Sequence, residues 1–316
     1  VDGQCINCHN YQAGNPQRMQ FHARHNHGGT VVAYDGKIKK VNMKNDSILS
    51  AGVYPSWHPW LKLIAYSTNK TMQSLHTREI NKIEVLDSQS DLILFDPDKN
   101  EVSSILNDPN EFEVFPCWSP DGKWLYFCSA ATKDMPDERK DLHYSILKVN
   151  FDSAKGAFGD IVDTVYNARL DGGSASFPRI SPDGRYLLFT LADFGTFPIW
   201  HNEADLKMID LKSGDKVDIN EWNDEENTES YHSWSKNSRW VIFSSRRLDG
   251  RYTRLFIAGF DKNGKPQKPF LLPQKDPRQN TLRLKSYNIP EFIDGRVEMP
   301  DNTVELYKCE DKIIKR

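Results

Sequence analysis

Phe115-Pro-Cys-Trp-Ser-Pro-Asp-Gly-Lys-Trp-Leu-Tyr-Phe127 is the stretch on which the reading of this chain turns. Aromatic and apolar residues flank Pro120-Asp121-Gly122, which is strong turn chemistry, so the segment reads as strand, tight turn, strand. The same pattern returns without gaps at Tyr54-Pro-Ser-Trp-His-Pro-Trp-Leu-Lys-Leu-Ile-Ala-Tyr66, at Phe177-Pro-Arg-Ile-Ser-Pro-Asp-Gly-Arg-Tyr-Leu-Leu-Phe189 and at Tyr231-His-Ser-Trp-Ser-Lys-Asn-Ser-Arg-Trp-Val-Ile-Phe243. A hairpin repeated in register at intervals of roughly sixty residues means an array; a single sandwich would not repeat its aromatic and proline positions four times.

Each hairpin is followed, after a loop, by a second strand pair or its first strand, at 92–102, 146–150, 206–217 and 255–264. Four antiparallel strands per unit make a propeller blade. The ends look complementary: 30–41 resembles an outer pair with no inner pair before it, and 287–299 an inner pair with no outer pair after it. Joined, they form a fifth blade and remove the exposed sheet edges that invite aggregation. The expected architecture is therefore all-β, a five-bladed propeller of four-stranded antiparallel blades closed by its N- and C-terminal strands. Six blades are the alternative if 303–309 adds a strand. The expected divisions are an N-terminal segment 1–28, the propeller 29–299 and a tail 300–316.

Composition narrows the function classes. The 316 residues carry 41 Lys and Arg against 44 Asp and Glu, a formal charge of −3, with no basic run long enough for a nucleic-acid footprint. No apolar run approaches the length of a transmembrane helix. The chain opens at Val1 without Met or an apolar leader, which reads as a processed or trimmed start, with any export signal upstream. Five cysteines are too few for a disulfide scaffold of this size. Cys117 and Cys128 flank a hairpin in which Cys117 should face about Trp124, leaving Cys128 beyond disulfide reach.

Cys5-Ile6-Asn7-Cys8-His9 fits Cys-x-x-Cys-His, the attachment sequence of c-type haem. In that reading Cys5 and Cys8 hold the porphyrin and His9 is the proximal iron ligand. Met19 or His22 supplies the distal ligand, brought back by a turn at Asn15-Pro16. A disulfide between Cys5 and Cys8 is the haem-free alternative. A zinc site built from these cysteines with His22, His25 and His27 lacks the paired spacing of structural zinc.

The Phe-Pro-x-Trp-Ser-Pro-Asp-Gly-Lys signature, clearest at 115–123 and 177–185, resembles the TolB-like propeller repeat of periplasmic and secreted bacterial proteins, over about 30 to 299. Together with His27-Gly-Gly-Thr30, Ser230-Tyr-His-Ser-Trp-Ser235 and Phe270-Leu-Leu-Pro-Gln-Lys-Asp276, the whole is similar to a family of Bacteroidetes envelope proteins. Its members are labelled TolB-like or, loosely, cytochrome c biosynthesis proteins. The resemblance implies a propeller fold and a periplasmic or envelope location, with a further N-terminal region preceding Val1. It leaves activity open, because function lives in sites grafted on folds.

Propeller geometry puts the turns within each strand pair on one face and the second-to-third strand connections on the other. The long connections are 68–91, 129–144, 191–204 and 246–254, and long loops carry function. From them and the channel wall, the candidate partner-binding residues are His76, Arg78, Trp200, His201, His232, Arg246 and Arg247, a cation-and-aromatic rim suited to an envelope protein or an acidic or peptidic ligand. His232 stands where the other repeats have Pro55, Pro116 and Pro178, whereas His58, in the place of the repeat's serine, is expected to be structural. No Gly-x-Ser-x-Gly elbow, His-Glu-x-x-His or phosphate-binding glycine loop is present, so the catalytic alternative is a metal-dependent propeller lyase or hydrolase using channel histidines such as His201 and His232. The leading expectation is a binding scaffold of the envelope that carries one haem c.

Overall fold

The structure is a computed structural model that describes residues 6–24, 28–261, 263–297 and 312–313. Cys5, His25 and His27, and the tail 300–316 except 312–313, lie outside these residues.

Five four-stranded antiparallel sheets follow one another along the chain. The first comprises β1 (Ile6–Tyr11), β2 (Met19–Ala23), β3 (Gly29–Tyr34) and β4 (Lys37–Asn42). The second comprises β5 (Val53–Trp57), β6 (Ile64–Leu75), β7 (Ile83–Asp96) and β8 (Glu101–Leu106), and the third β9 (Glu111–Trp118), β10 (Trp124–Ala131), β11 (Ser145–Asp152) and β12 (Ala157–Tyr166). β13 (Ser174–Ile180), β14 (Tyr186–Ala192), β15 (Asp205–Asp210) and β16 (Lys216–Val217) make the fourth. β17 (Glu229–Trp234), β18 (Trp240–Ser245), β19 (Arg254–Gly259) and β20 (Phe270–Leu271) make the fifth. A short β21 (Lys312–Ile313) pairs parallel to β4. No described helix is long and apolar enough to cross a membrane.

The core is a series of apolar layers between consecutive sheets. Val32 and Tyr34 pack with Ile64, Tyr66 and Phe95 of the second sheet, and Ala65 and Leu92 with Leu125 and Phe127 of the third. Phe112 and Cys128 pack with Phe177 and Leu187, and Tyr186 and Leu188 with Val241 and Phe243. The second, third and fourth sheets are thus apolar on both faces, as stacked blades require.

The turns after β9, β13 and β17 repeat one hydrogen-bond bracket. Ser119 Oγ donates to Asp121 at 2.6 Å and accepts from the Trp124 N–H at 3.0 Å; Ser181 does the same with Asp183 and Tyr186, and Ser235 with Asn237 and Trp240. Gly122 and Gly184 take positive φ at these turns, as Pro-Asp-Gly requires. In the second sheet the His58 Nδ1 replaces the serine oxygen, accepting from the Leu61 N–H at 3.1 Å, while its other nitrogen reaches the Gly122 carbonyl. Burial pushes its pKa down to about 4, so His58 is a neutral structural group.

Three expectations are corrected. The outer pair 30–41 does not join 287–299: β3 pairs with β2, and β2 with β1, so the N-terminal segment itself supplies the inner strands of the first sheet. The described part of 287–299 contains no strand. Instead it runs as a strap between the fifth and first sheets, Ser233 donating to the Pro290 carbonyl at 2.7 Å and the Asp294 N–H to the Gly14 carbonyl at 2.8 Å. The interval read as a loop at 68–91 is a hairpin arm, in which β6 and β7 continue beyond the blade and stay paired, across one register shift between Lys70 and Thr71, to Leu75 opposite Ile83. Exposure alternates along it from Thr71 to Leu75, as successive residues of a strand face opposite sides. Cys117 lies opposite Tyr126, not Trp124, and Cys128 opposite Val114, both as buried thiols outside any disulfide.

Candidate functional site

All five inner strands carry the same bulge. The register shifts between Asn7 and Asn10, Val53 and Ser56, Val114 and Cys117, Ser176 and Arg179, and Ser230 and Ser233. In each bulge one residue adopts left-handed φ: Cys8 at 51°, Tyr54 at 49°, Phe115 at 57°, Phe177 at 52° and Tyr231 at 49°. Cys8-His9-Asn10-Tyr11-Gln12 is therefore the fifth copy of the repeat. A non-glycine residue in this region costs about 1–2 kcal/mol, and the packing shows what offsets it. The bulge brings the aromatic rings together: Tyr54 and Phe115 lie 4.6 Å apart, Phe115 and Phe177 4.1 Å, and Phe177 and Tyr231 5.3 Å, with Phe197 against three of them.

The fifth position holds a cysteine where the others hold a ring. Beside Cys8 is a cavity of about 190 Å³, lined also by Asn7, His9, Arg24, Tyr54, Arg179, Phe197, Tyr231 and Glu291. Glu291 comes from the strap, and its Oε2 accepts from Asn10 Nδ2 at 3.0 Å and from the Tyr11 N–H at 3.2 Å. His9 Nε2 lies 3.6 Å from Glu291 Oε1. Burial pushes the Glu291 carboxyl up to about 7 against the pull of the Tyr11 N–H, Arg179 and Asn10, while burial lowers His9. Glu291 Oε1 and Asn7 Oδ1 are buried without a hydrogen-bond partner. Burial raises the hydroxyls of Tyr54 and Tyr231 far above their ordinary value, so both stay protonated donors.

The residues assigned to haem do not fit one as folded. Met19 is buried among Phe21, Val31 and Ala33, and His22 Nδ1 lies 3.2 Å from Thr30 Oγ1. β1 and β2 are hydrogen-bonded neighbours, and paired strands stand about 4.8 Å apart. That leaves no slot for a macrocycle between His9 and either distal candidate. The cavity beside Cys8 is also smaller than the roughly 300–1,000 Å³ of drug-sized ligand pockets.

Of the long-connection residues, His201 and Arg246 are buried, His76, Trp200 and Arg247 are half-buried and Arg78 is exposed. His201 is fully buried, its Nε2 3.1 Å from Glu84 of the hairpin arm and its Nδ1 2.9 Å from Glu203. His232 is buried with Nε2 on the Leu188 carbonyl at 3.1 Å, and its pKa is pushed down to about 3 by burial and by Arg179. The two histidines share no partner, and no three His, Cys, Asp or Glu side chains among the described residues are grouped to hold a metal ion. Arg246, itself buried, stacks 3.9 Å over half-buried Trp200. Arg247 pairs at 3.0 Å with Glu229, which is wholly buried. Arg247→Ala should accordingly cost about 2 kcal/mol, the scale for removing a bond to a charged group, read as a lowered urea midpoint. His76 lies 3.8 Å from Glu79 on the arm, and Arg78 is exposed.

Sequence reasoning missed Arg24, Arg179, Glu84 and Glu291. Arg179 had a signal: it replaces Ser56, Cys117 and Ser233 of the aligned repeats. The cavity shares Arg24, Val53, Tyr54 and Phe197 with a vestibule of about 980 Å³ walled by the arm residues Asn69, Thr71, Gln73 and Val85. A second mouth of about 650 Å³ lies by the hairpin turns, where Tyr11, Trp57, Trp118, Ile180 and Trp234 occupy one repeat position.

No protein-family model matches the chain, and no curated protein sequence does. Solved structures do. A protein described as TolB from Agrobacterium tumefaciens is 16% identical with a TM-score of 0.53, over 85% of this chain and 81% of that one. Prolyl oligopeptidase B from Galerina marginata is 12% identical with a TM-score of 0.49, over 85% of this chain and 36% of that one. Oligogalacturonate lyase in complex with manganese is 10% identical with a TM-score of 0.48, over 84% and 67%. The chain spans little more than a third of the peptidase, and at these identities likeness carries the fold alone. Five sequential four-stranded sheets with the first of these likenesses give the chain a TolB-like β-propeller fold.

Proposed function

We propose that this chain is a binding scaffold of the cell envelope whose ligand enters the channel from the arm side and lodges beside Cys8. One observation carries the reading: four of five equivalent bulge positions plug the axis with aromatic rings, and the fifth places a cysteine beside a polar cavity. The envelope location follows the TolB-like likeness. Haem c is the rival, and it requires β1 to leave its sheet so that Cys5, Cys8 and His9 can embrace a porphyrin.

Native and denaturing mass spectra of exported protein decide between them. A small non-covalent adduct, lost on denaturation and missing from Cys8→Phe, is the expected result. Phenylalanine at 8 restores the ring that Phe115 and Phe177 carry at the same backbone angle, so the variant should fold with an unchanged or higher Tm. A covalent haem mass on the wild type would overturn the cavity reading.

A further inference from the structure

We propose that the cavity beside Cys8 takes a compact carboxylic acid that also bears an amino or hydroxyl group, a free amino acid or a hydroxy acid; this rests on the channel being the binding site. Size sets the first limit. A cavity of about 150 Å³ accommodates benzene, so about 190 Å³ holds a molecule of about eight non-hydrogen atoms and excludes a folded partner.

Charge sets the second limit. Arg24 and Arg179 both line the cavity, and among the described residues Glu291 is the only acidic side chain lining it. Among the described residues the Arg179 guanidinium makes one hydrogen bond, from Nη1 to the Pro178 carbonyl at 2.9 Å, which leaves most of its planar fork for an incoming acceptor. A guanidinium matches a carboxylate with two parallel bonds.

The third limit comes from the unpaired acceptors. Glu291 Oε1 and Asn7 Oδ1 are buried without a hydrogen-bond partner among the described residues, and a buried acceptor in that condition gains when a donor arrives. An ammonium or hydroxyl on the ligand supplies that donor. Inorganic phosphate at neutral pH brings a P–OH donor, but it also sets a second negative charge beside these oxygens and has no carbon body for the ring faces. Tyr54, Tyr231 and Phe197 offer ring faces to the ligand's carbon body and to an ammonium.

The test is calorimetric titration of the full chain with free amino acids and small hydroxy acids. Their methyl esters and amides and inorganic phosphate are titrated in parallel. At least one acid should bind, its ester at least tenfold more weakly and phosphate not measurably. Arg179→Gln should weaken the acid at least tenfold. Should that variant not fold, Arg179→Lys keeps the charge without the fork and should lose most of the affinity. Cys8→Phe should abolish binding with no fall in Tm. Equal binding of ester and acid, or tight binding of phosphate, would overturn the ligand class; if Cys8→Phe still blocked it, the channel would stand as the site. Failure of every acid would likewise overturn the class. An acid that binds Cys8→Phe as well as the wild type would sink both this proposal and the channel reading.

Discussion

His201→Leu should lower stability by about 3–5 kcal/mol, the scale for removing one partner of a buried ion pair, and should free the hairpin arm. Both ring nitrogens face carboxylates, Glu84 Oε2 at 3.1 Å and Glu203 Oε1 at 2.9 Å. Two acceptors need two N–H donors, so the ring is an imidazolium. Burial alone would lower its pKa, but the hydrogen bonds and charges of Glu203 and Glu84 outweigh it and push the value up to about 9. Leucine leaves Glu84, 2% exposed and with Oε1 already unpartnered, as a buried charge without a counterion. Arg139, paired with Glu79, still holds the far end of the arm. The sheets should therefore survive while amide exchange rises at 70–86. The pH dependence has a definite sign. A histidine whose folded pKa lies above its ordinary 6.5 stabilises fully below that value, and the contribution is lost as pH climbs through about 9. Wild-type stability should fall between pH 7 and 10, and the His201→Leu profile should be flatter there. Unchanged arm exchange, or parallel profiles, would show that the clamp does not hold the arm. Because the arm walls the vestibule, its release should also widen access to the cavity.

Ending the chain at Ser286 should cost about 5 kcal/mol or more, a large part of the roughly 5–15 kcal/mol that domains possess. In the structure, apolar layers join each sheet to the next from first to fifth, whereas the strap lies between the fifth and the first. Ser233 and Ser244 on the fifth sheet donate to the Pro290 and Asn288 carbonyls, at 2.7 and 3.4 Å. Asn10 and Tyr11 on the first donate to Glu291, and Lys236 pairs with Asp294 at 2.6 Å. Each buried bond is worth about 1 kcal/mol net, and their joint loss opens strand edges to self-association. The expected outcome is a much lower urea midpoint and a smaller soluble fraction. A monomer unfolding at the wild-type midpoint would show that the first and fifth sheets meet without the strap.

Four of the five blades were legible because their information is local. Pro-Asp-Gly turns, aromatic flanks and period-two alternation sit within a dozen residues, and the resulting brackets at Ser119, Ser181 and Ser235 need no distant partner. The first blade was hidden because Cys8-His9-Asn10-Tyr11-Gln12 has neither the proline nor the tryptophan of the repeat; what it shares is a backbone angle, which letters do not show. The same five residues supplied a haem pattern whose spacing is real, but whose proposed distal ligands are committed to the core and to Thr30. Only tertiary structure could decide the site. Asn10 meets Glu291 across 281 residues, and His201 meets Glu84 across 117. Burial, which raises the Glu291 carboxyl and is outweighed at His201 by two carboxylates, is a property of the packed sheets rather than of any segment. The chain alone determined the repeat and hence the fold; its assembly determined that the channel is plugged four times by aromatic rings and, at Cys8, lined by a cavity.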